Sequence, residues 1–347
     1  MSIVLITGSS GLVGSESVNF FSDKGFDVVG IDNNLRKFFF GSDGSTEWIK
    51  NSLLKKNKKF KHHSADIRNY TSLERIFKKY KKKISLIIHC AAQPSHDYGK
   101  NFPIIDFEVN AKGTLNLLEL TKKYCFDAKF IFMSTNKVYG DNPNRIKILE
   151  KNNRWEVNRK SKYFNGITEQ FSIDHCTHSF FGASKTYADL IVQEYGKNVG
   201  LNTVSFRGGC ITGPNHSGAK LHGFLSFLVK LSIKEKKYSI IGYKGKQVRD
   251  NLHSHDLVSC FWEYFKKPKK GEVYNIGGGR YSNCSINEAL DLVESIKKIN
   301  IKREYLKTPR VGDHIWYISN LDKFKNDYPN WKQQFNTKTI IDELINS

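Results

Sequence analysis

A short apolar run, Ile3-Val4-Leu5-Ile6-Thr7, leads at once into Gly8-Ser9-Ser10-Gly11-Leu12-Val13-Gly14, with glycine at every third position. No other stretch constrains the fold as strongly. The run reads as a buried strand, and Leu12 to Lys24, with Val13, Val18, Phe20 and Phe21 available for packing, reads as a helix. Between them Gly8 permits a tight turn, Gly11 lets the backbone approach a pyrophosphate, and Gly14 lets helix and strand pack closely. The N–H groups and positive dipole end at the head of such a helix suit two phosphates. A second strand, Asp27 to Ile31, ends at Asp32, whose carboxylate can accept both hydroxyls of an adenosine ribose. The same charge repels a 2′-phosphate, so the predicted cofactor is NAD and not NADP. Arg36 and Lys37 stand close enough to temper that preference. The cofactor residues expected from this unit are Gly8, Ser10, Gly11, Leu12, Val13, Gly14, Asp32, Asn33 and Arg36.

The alternation continues. Phe60 to Ala65, Leu86 to Cys90 and Phe130 to Ser134 read as strands, and Tyr70 to Lys81 and about 104–124 as helices. Strands alternating with helices build a parallel sheet covered on both faces, so the expected fold is doubly wound α/β of the Rossmann type. After Gly140 the pattern breaks over a stretch rich in Asn, Lys, Arg and Glu. A helix resumes at Ser179 and runs to about Val199, and Thr203 to Phe206 gives another strand. A chain of 347 residues exceeds what one core usually supports. The expected division is 1–207 for the dinucleotide and 208–347 for the substrate, a smaller α/β domain from which segments can return to the first.

Lys and Arg total 55 against 34 Asp and Glu, a net charge of +21. The lysine clusters, such as Lys55-Lys56-Asn57-Lys58-Lys59 and Lys78 to Lys83, are spread along the chain and form no single stripe. That distribution reads first as solvated surface and argues against a nucleic-acid groove, with a general positive field that attracts a diphosphate as the other reading. No apolar run approaches the ~20 residues that span a bilayer. The six cysteines form no CxxC pair and the N-terminus no signal-peptide pattern, so a cytoplasmic setting without a metal site is expected.

Nearly the whole chain resembles the extended short-chain dehydrogenases/reductases that act on nucleotide sugars. The likeness rests on the glycine turn, Asp66-Ile67-Arg68, His89-Cys90-Ala91-Ala92-Gln93 and Asn110 in Val109-Asn110-Ala111-Lys112-Gly113-Thr114. It continues through Ser134-Thr135-Asn136-Lys137-Val138-Tyr139-Gly140, Ser184-Lys185, Gly245 to Asp250 and Asn275-Ile276-Gly277-Gly278. It implies that Asp66, Ile67, Ala91, Ala92, Gln93, Asn110 and Lys185 also line the cofactor. Thr135 would bond the sugar hydroxyl undergoing oxidation, with Asn136 and Lys137 beside it. Dehydratases of the family carry an Asp-Glu pair after this Thr. Asn136-Lys137 supplies no such proton donor, which favours an epimerase. The segment looks most like members that invert C2 of a CDP-linked hexose or deoxyhexose by transient oxidation.

One departure stands out. The family pattern Tyr-x-x-x-Lys reads Phe181-Gly182-Ala183-Ser184-Lys185 here, and a phenyl ring cannot exchange a proton. Substitutes in view are His178, whose ordinary pKa near 6.5 suits a base, Cys210, and Tyr139 or Tyr163. A C4-epimerase, a reductase, or a binding protein without catalysis stay open. By the same resemblance Arg249 and Arg310 would grip the substrate diphosphate beside Asn215, since guanidinium forks match phosphate oxygens. Helices near 104–124 and 179–197 would pair subunits into a homodimer or homotetramer.

Overall fold

The computed structural model describes residues 2–216, 223–235, 237–307 and 313–347. In chain order its elements begin β1 (Ile3–Thr7), α1 (Leu12–Asp23), β2 (Asp27–Ile31), α2 (Arg36–Phe40), α3 (Glu47–Lys56), β3 (Phe60–His63), α4 (Tyr70–Tyr80) and β4 (Ile84–His89). Next come α5 (His96–Asn101), α6 (Pro103–Phe107), a π turn over Glu108–Lys112, α7 (Gly113–Tyr124) and β5 (Lys129–Thr135). A hairpin of β6 (Ile148–Glu150) and β7 (Trp155–Val157) precedes α8 (Ser179–Lys197) and β8 (Asn202–Gly208). The remainder includes β9 (Cys210–Thr212), α9 (Phe224–Glu235), β10 (Lys237–Ile241), β11 (Val248–His253), α10 (Ser254–Lys266), β12 (Glu272–Ile276), β13 (Asn283–Ser285) and α11 (Ile286–Lys297).

Seven strands form one sheet in the order β12-β8-β5-β4-β1-β2-β3, and β1 pairs in parallel with both β2 and β4. The strand order therefore reverses at β1, and the crevice beyond the carboxyl ends of β1 and β4 is the place where such sheets bind ligands. The fold class is doubly wound α/β, as the alternation predicts.

The chain divides into two compact units. The first comprises Met1–Val138, Phe180–Arg207 and Val258–Tyr274. Its core includes Leu5, Ile31, Phe77, Ile87, Leu117, Leu118 and Phe132, all buried on the sheet or on the helices covering it. The expected helix over 104–124 is continuous but not uniform. Its middle turn widens to π geometry around Asn110, whose carbonyl accepts from the Thr114 hydroxyl at 2.6 Å. Within this unit α8 is tied to β5 and β8 by a buried ion pair, Arg207 with Asp189 at 2.8 Å. The Asp189 carboxylate also takes the Ser134 hydroxyl and the Gln193 amide. Removing one partner of such a pair typically costs ~3–5 kcal/mol, because a buried charge is stranded.

The second unit comprises Tyr139–Ser179, Gly208–Leu257 and Asn275–Ser347. There β11 pairs with β9, β13 and a short strand at Trp316–Tyr317, and α9 and α11 bury Leu225, Leu228, Leu290 and Val293. No helix among the described residues is long and apolar enough to cross a membrane.

Candidate functional site: the sheet switch point

The glycine turn is as tight as its composition implies. Gly8 has φ +68°, and a Cβ there would lie 2.7 Å from the Ala91 backbone nitrogen. A Cβ on Gly14 would overlap the Gly8 carbonyl oxygen, so α1 can lie on the turn only without one. No side chain caps α1, and its first turn carries no acidic residue, so its leading N–H groups and dipole end are left to an anion. Asp32 sits directly after β2. Its Oδ2 accepts from Ser10 N–H at 2.9 Å and its Oδ1 from Asn34 N–H at 2.8 Å. A carboxylate offers roughly four lone-pair sites, so these two bonds orient it with acceptor capacity to spare. Arg36 stacks on Phe40 at 4.9 Å, and burial lowers its pKa while Asp32 raises it. Asp66 is held by Arg68 at 2.7 Å and by Asn33 at 3.0 Å, and the pairing keeps its pKa below the usual carboxylate value.

Between β1 and β4 runs a buried relay. The Thr114 hydroxyl donates to the Asn110 carbonyl, so it must accept from His89 Nε2 at 2.9 Å. His89 Nδ1 then accepts from the Thr7 hydroxyl at 2.7 Å, and Thr7 Oγ1 takes the Ala91 N–H at 3.3 Å. Every donor meets an acceptor only if the imidazole is neutral with its proton on Nε2. Complete burial pushes its pKa well down, which agrees.

A second buried cluster gathers the loop after β4, α6, the π turn and α8. Gln93 N–H donates to Asn110 Oδ1 at 2.9 Å, and the Gln93 amide to Asp106 Oδ1 at 2.6 Å. The other Asp106 oxygen takes the Ser184 hydroxyl, which also accepts from Asn110 Nδ2 at 3.1 Å. One helical position on, Lys185 is nearly fully buried. Its ammonium donates to the Met133 carbonyl at 2.7 Å and lies 4.1 Å from the Phe132 ring centroid. Burial drops its pKa to about 8, with Cys90, Asp189 and Asp106 pulling the other way. The same burial raises the pKa of Asp106.

The remaining predicted residues fall into both units. In the first, Thr135 ends β5 and accepts the Lys137 N–H at 3.2 Å, with Asn136 buried beside it. In the second, His178 has its ring nitrogens 3.7 Å from Cys176 Sγ. Cys210 lies on β9 opposite Asn251, and Asn215 is half-buried. Arg249 is buried and ion-paired with Asp313. Arg310 lies outside the described residues. Asp106 of this cluster, and His96, whose ring meets that of Phe181, were not read from the sequence. The available signal was their position, since both follow the carboxyl end of β4, where ligands border such sheets.

A glycine cradle that no Cβ could enter, an uncapped helix head and an oriented carboxylate define a dinucleotide-binding α/β protein, and they fit NAD. Residues 4–277 match the NAD dependent epimerase/dehydratase family, and the chain belongs to it. It is an NAD-dependent enzyme of that family, so the alternative of a binding protein without catalysis, which Phe181 left open, gives way. It is 31% identical to CDP-paratose 2-epimerase of Salmonella typhi, with 98% of this chain and 97% of that one covered. It is 27% identical to UDP-glucuronate 4-epimerase of Thermodesulfobacterium geofontis, covering 100% and 96%. The solved UDP-glucuronic acid 4-epimerase of Bacillus cereus shares the fold, with a TM-score of 0.79 at 23% identity over 99% and 98% of the two chains.

Proposed function

We propose that this protein epimerises a nucleotide sugar, inverting C2 of a CDP-linked hexose or deoxyhexose through transient oxidation. The observation that carries the reading is the pair after Thr135. Asn136 is a buried amide and Lys137 a cation, so no carboxylic acid stands there to expel water, as a dehydratase requires. The likeness to a CDP-paratose 2-epimerase over nearly the full chain supports the same choice. In this reading the first unit holds NAD and the second the nucleotide sugar. NAD, when bound, supplies reversible hydride acceptance. Gly8 to Gly14 receive the pyrophosphate, Asp32 the adenosine ribose, and Lys185 the nicotinamide ribose. Thr135 orients the reacting hydroxyl, while Asn136, Lys137, Asn215, Arg249 and Arg310 bind the substrate. In place of the tyrosine, the sequence offers His178 and Cys210 as candidates for exchanging the proton.

The likeness to 4-epimerases sustains a second reading, inversion at C4. Incubation with CDP-, UDP- and dTDP-sugars in deuterated and ordinary water, followed by NMR of the product, separates the two. Inversion at C2 of a CDP-sugar is expected, whereas inversion at C4 or loss of water refutes it. We also propose a cytoplasmic homo-oligomer. Ile104, Phe107, Phe180, Tyr187 and Leu190 are exposed along α6 and α8, and the Phe107 and Tyr187 rings touch at 6.3 Å. Leu117 and Leu118, by contrast, are spent in the core. Light scattering that reports a monomer at micromolar concentration would remove this part.

A further inference from the structure

Phe181 is four residues before Lys185, at the position where the resemblance places a proton-exchanging tyrosine, and it is buried. Against its ring lies the imidazole of His96, with centroids 5.1 Å apart and planes at 67°. His96 is half-buried and opens α5. Its place is fixed from several sides. Gln93 Oε1 accepts from the Ser95 N–H at 2.5 Å and Gln93 Nε2 donates to the Ser95 carbonyl at 2.7 Å, clamping the residue just before it. Gln93 also donates to Asp106, the carboxylate that takes the Ser184 hydroxyl, so one network sets both His96 and the first turns of α8. A Cβ on Gly99 would lie 3.1 Å from the Phe181 backbone nitrogen and 3.0 Å from Asp106 Oδ1, so glycine is what lets α5 approach this closely. Tyr98 anchors the same helix against the Phe40 ring at 5.4 Å. This is a supported, rigid placement of the kind a reacting group needs.

We infer that His96 is the general acid–base residue of this enzyme, accepting the proton of the sugar hydroxyl during oxidation and returning it during reduction. The inference rests on the nucleotide-sugar reading above. In the forward step the C–H hydrogen leaves with its electron pair for NAD, the O–H bond breaks, its proton passes to a neutral imidazole nitrogen, and the carbonyl forms. The return step reverses each transfer, with hydride arriving on the opposite face. A neutral imidazole carries one N–H and one nitrogen lone pair, so it can take up a proton and return it. Phe181 then serves as the apolar wall against which the imidazole is held.

The test uses the full chain loaded with NAD and the nucleotide sugar it turns over fastest. His96→Ala and His96→Gln should each lower kcat by ~10²–10⁴-fold, with KM within a few-fold and NAD affinity retained. Adding Phe181→Tyr to His96→Ala should recover about tenfold or more, since a phenol again stands at the family position. In imidazole NMR of the parent, the resonance missing from His96→Ala should shift when CDP-glucose is added, a readout that needs no turnover. Turnover of His96→Ala within about threefold of the parent, or a loss confined to His178→Ala or Cys210→Ala, overturns the inference and leaves the epimerase reading standing. A parent that inverts C4 of a UDP-sugar, yet loses that activity on His96→Ala, overturns only the CDP and C2 reading. A parent without turnover whose His96 resonance ignores nucleotide sugars overturns both.

Discussion

The glycine turn and the Lys185 cluster belong to the same compact unit, yet they are built on opposite plans. In the turn, Gly8 N–H bonds to the Ile31 carbonyl, Gly11 N–H bonds to the Gly8 carbonyl, and two backbone N–H groups orient Asp32. Backbone does the binding, and the essential side-chain requirement is absence of bulk. In the cluster, the side chains of Gln93, Asp106, Asn110 and Ser184, drawn from four segments of the chain, hold one another, and Lys185 is buried one helical position further on. A site that positions a cofactor can be made of local backbone, whereas a site that shifts protonation states needs burial and therefore distant partners.

The largest expected effect falls on the cluster. Lys185→Ala should cut turnover by ~10²–10⁴-fold and weaken NAD binding less severely, as single-turnover rates and calorimetry would show. If NAD affinity falls as far as turnover does, the two regions are one binding surface and the contrast fails. Next comes the turn. Gly14→Ala should destabilise the fold by about 3 kcal/mol, the upper end for overpacking, because the obstacle is a backbone carbonyl. Urea denaturation would measure it, and a loss under about 1 kcal/mol would mean that α1 can slide off the turn. Comparable in size is a pH effect confined to the cluster. Burial brings the pKa of Lys185 down to about 8 from the ordinary 10.5, so between those values the unfolded chain binds more protons. Stability should accordingly rise with pH across that window, by roughly 3 kcal/mol at 1.36 kcal/mol per pKa unit. Lys185→Met should flatten that limb in parallel denaturation curves, and an unchanged limb would assign the titration elsewhere. The smallest effect belongs to Asp32→Ala, expected to weaken NAD binding by ~1.5–3 kcal/mol while sparing stability, by calorimetry. Unchanged affinity would discredit the ribose role of that carboxylate.

The same contrast explains what could be read in advance. Strands such as Ile3–Thr7 and Ile84–His89 are short apolar runs, and α4 carries Leu73, Ile76, Phe77 and Tyr80 at helical spacing, so local periodicity sufficed. Gly8, Gly11, Gly14 and Asp32 meet in one βαβ unit for the same reason. Of the helices inserted between β2 and β3, α2 escaped because five residues are too few to show a helical period, and α3 because its lysine-rich sequence shows only a weak apolar stripe. His96 escaped because its significance depends on Phe181, 85 positions away (181 − 96). Only the packing of α5 against α8, which Gly99 permits, brings the two rings together.

The π turn at Glu108–Lys112 carries a consequence of its own. It adds one residue to a helical circuit, which rotates everything downstream by about 100° relative to an uninterrupted α-helix. Upstream of it Ile104 and Phe107 face outward, and downstream Leu117 and Leu118 face the core. The turn works as a phase shifter between two faces of one continuous rod. Side-chain replacements there leave the phase intact, whereas deleting a single residue would swing one face out of alignment with the other. The phase between the two faces should therefore survive changes of letter, whatever they cost the buried Asn110 bonds, far better than changes of length.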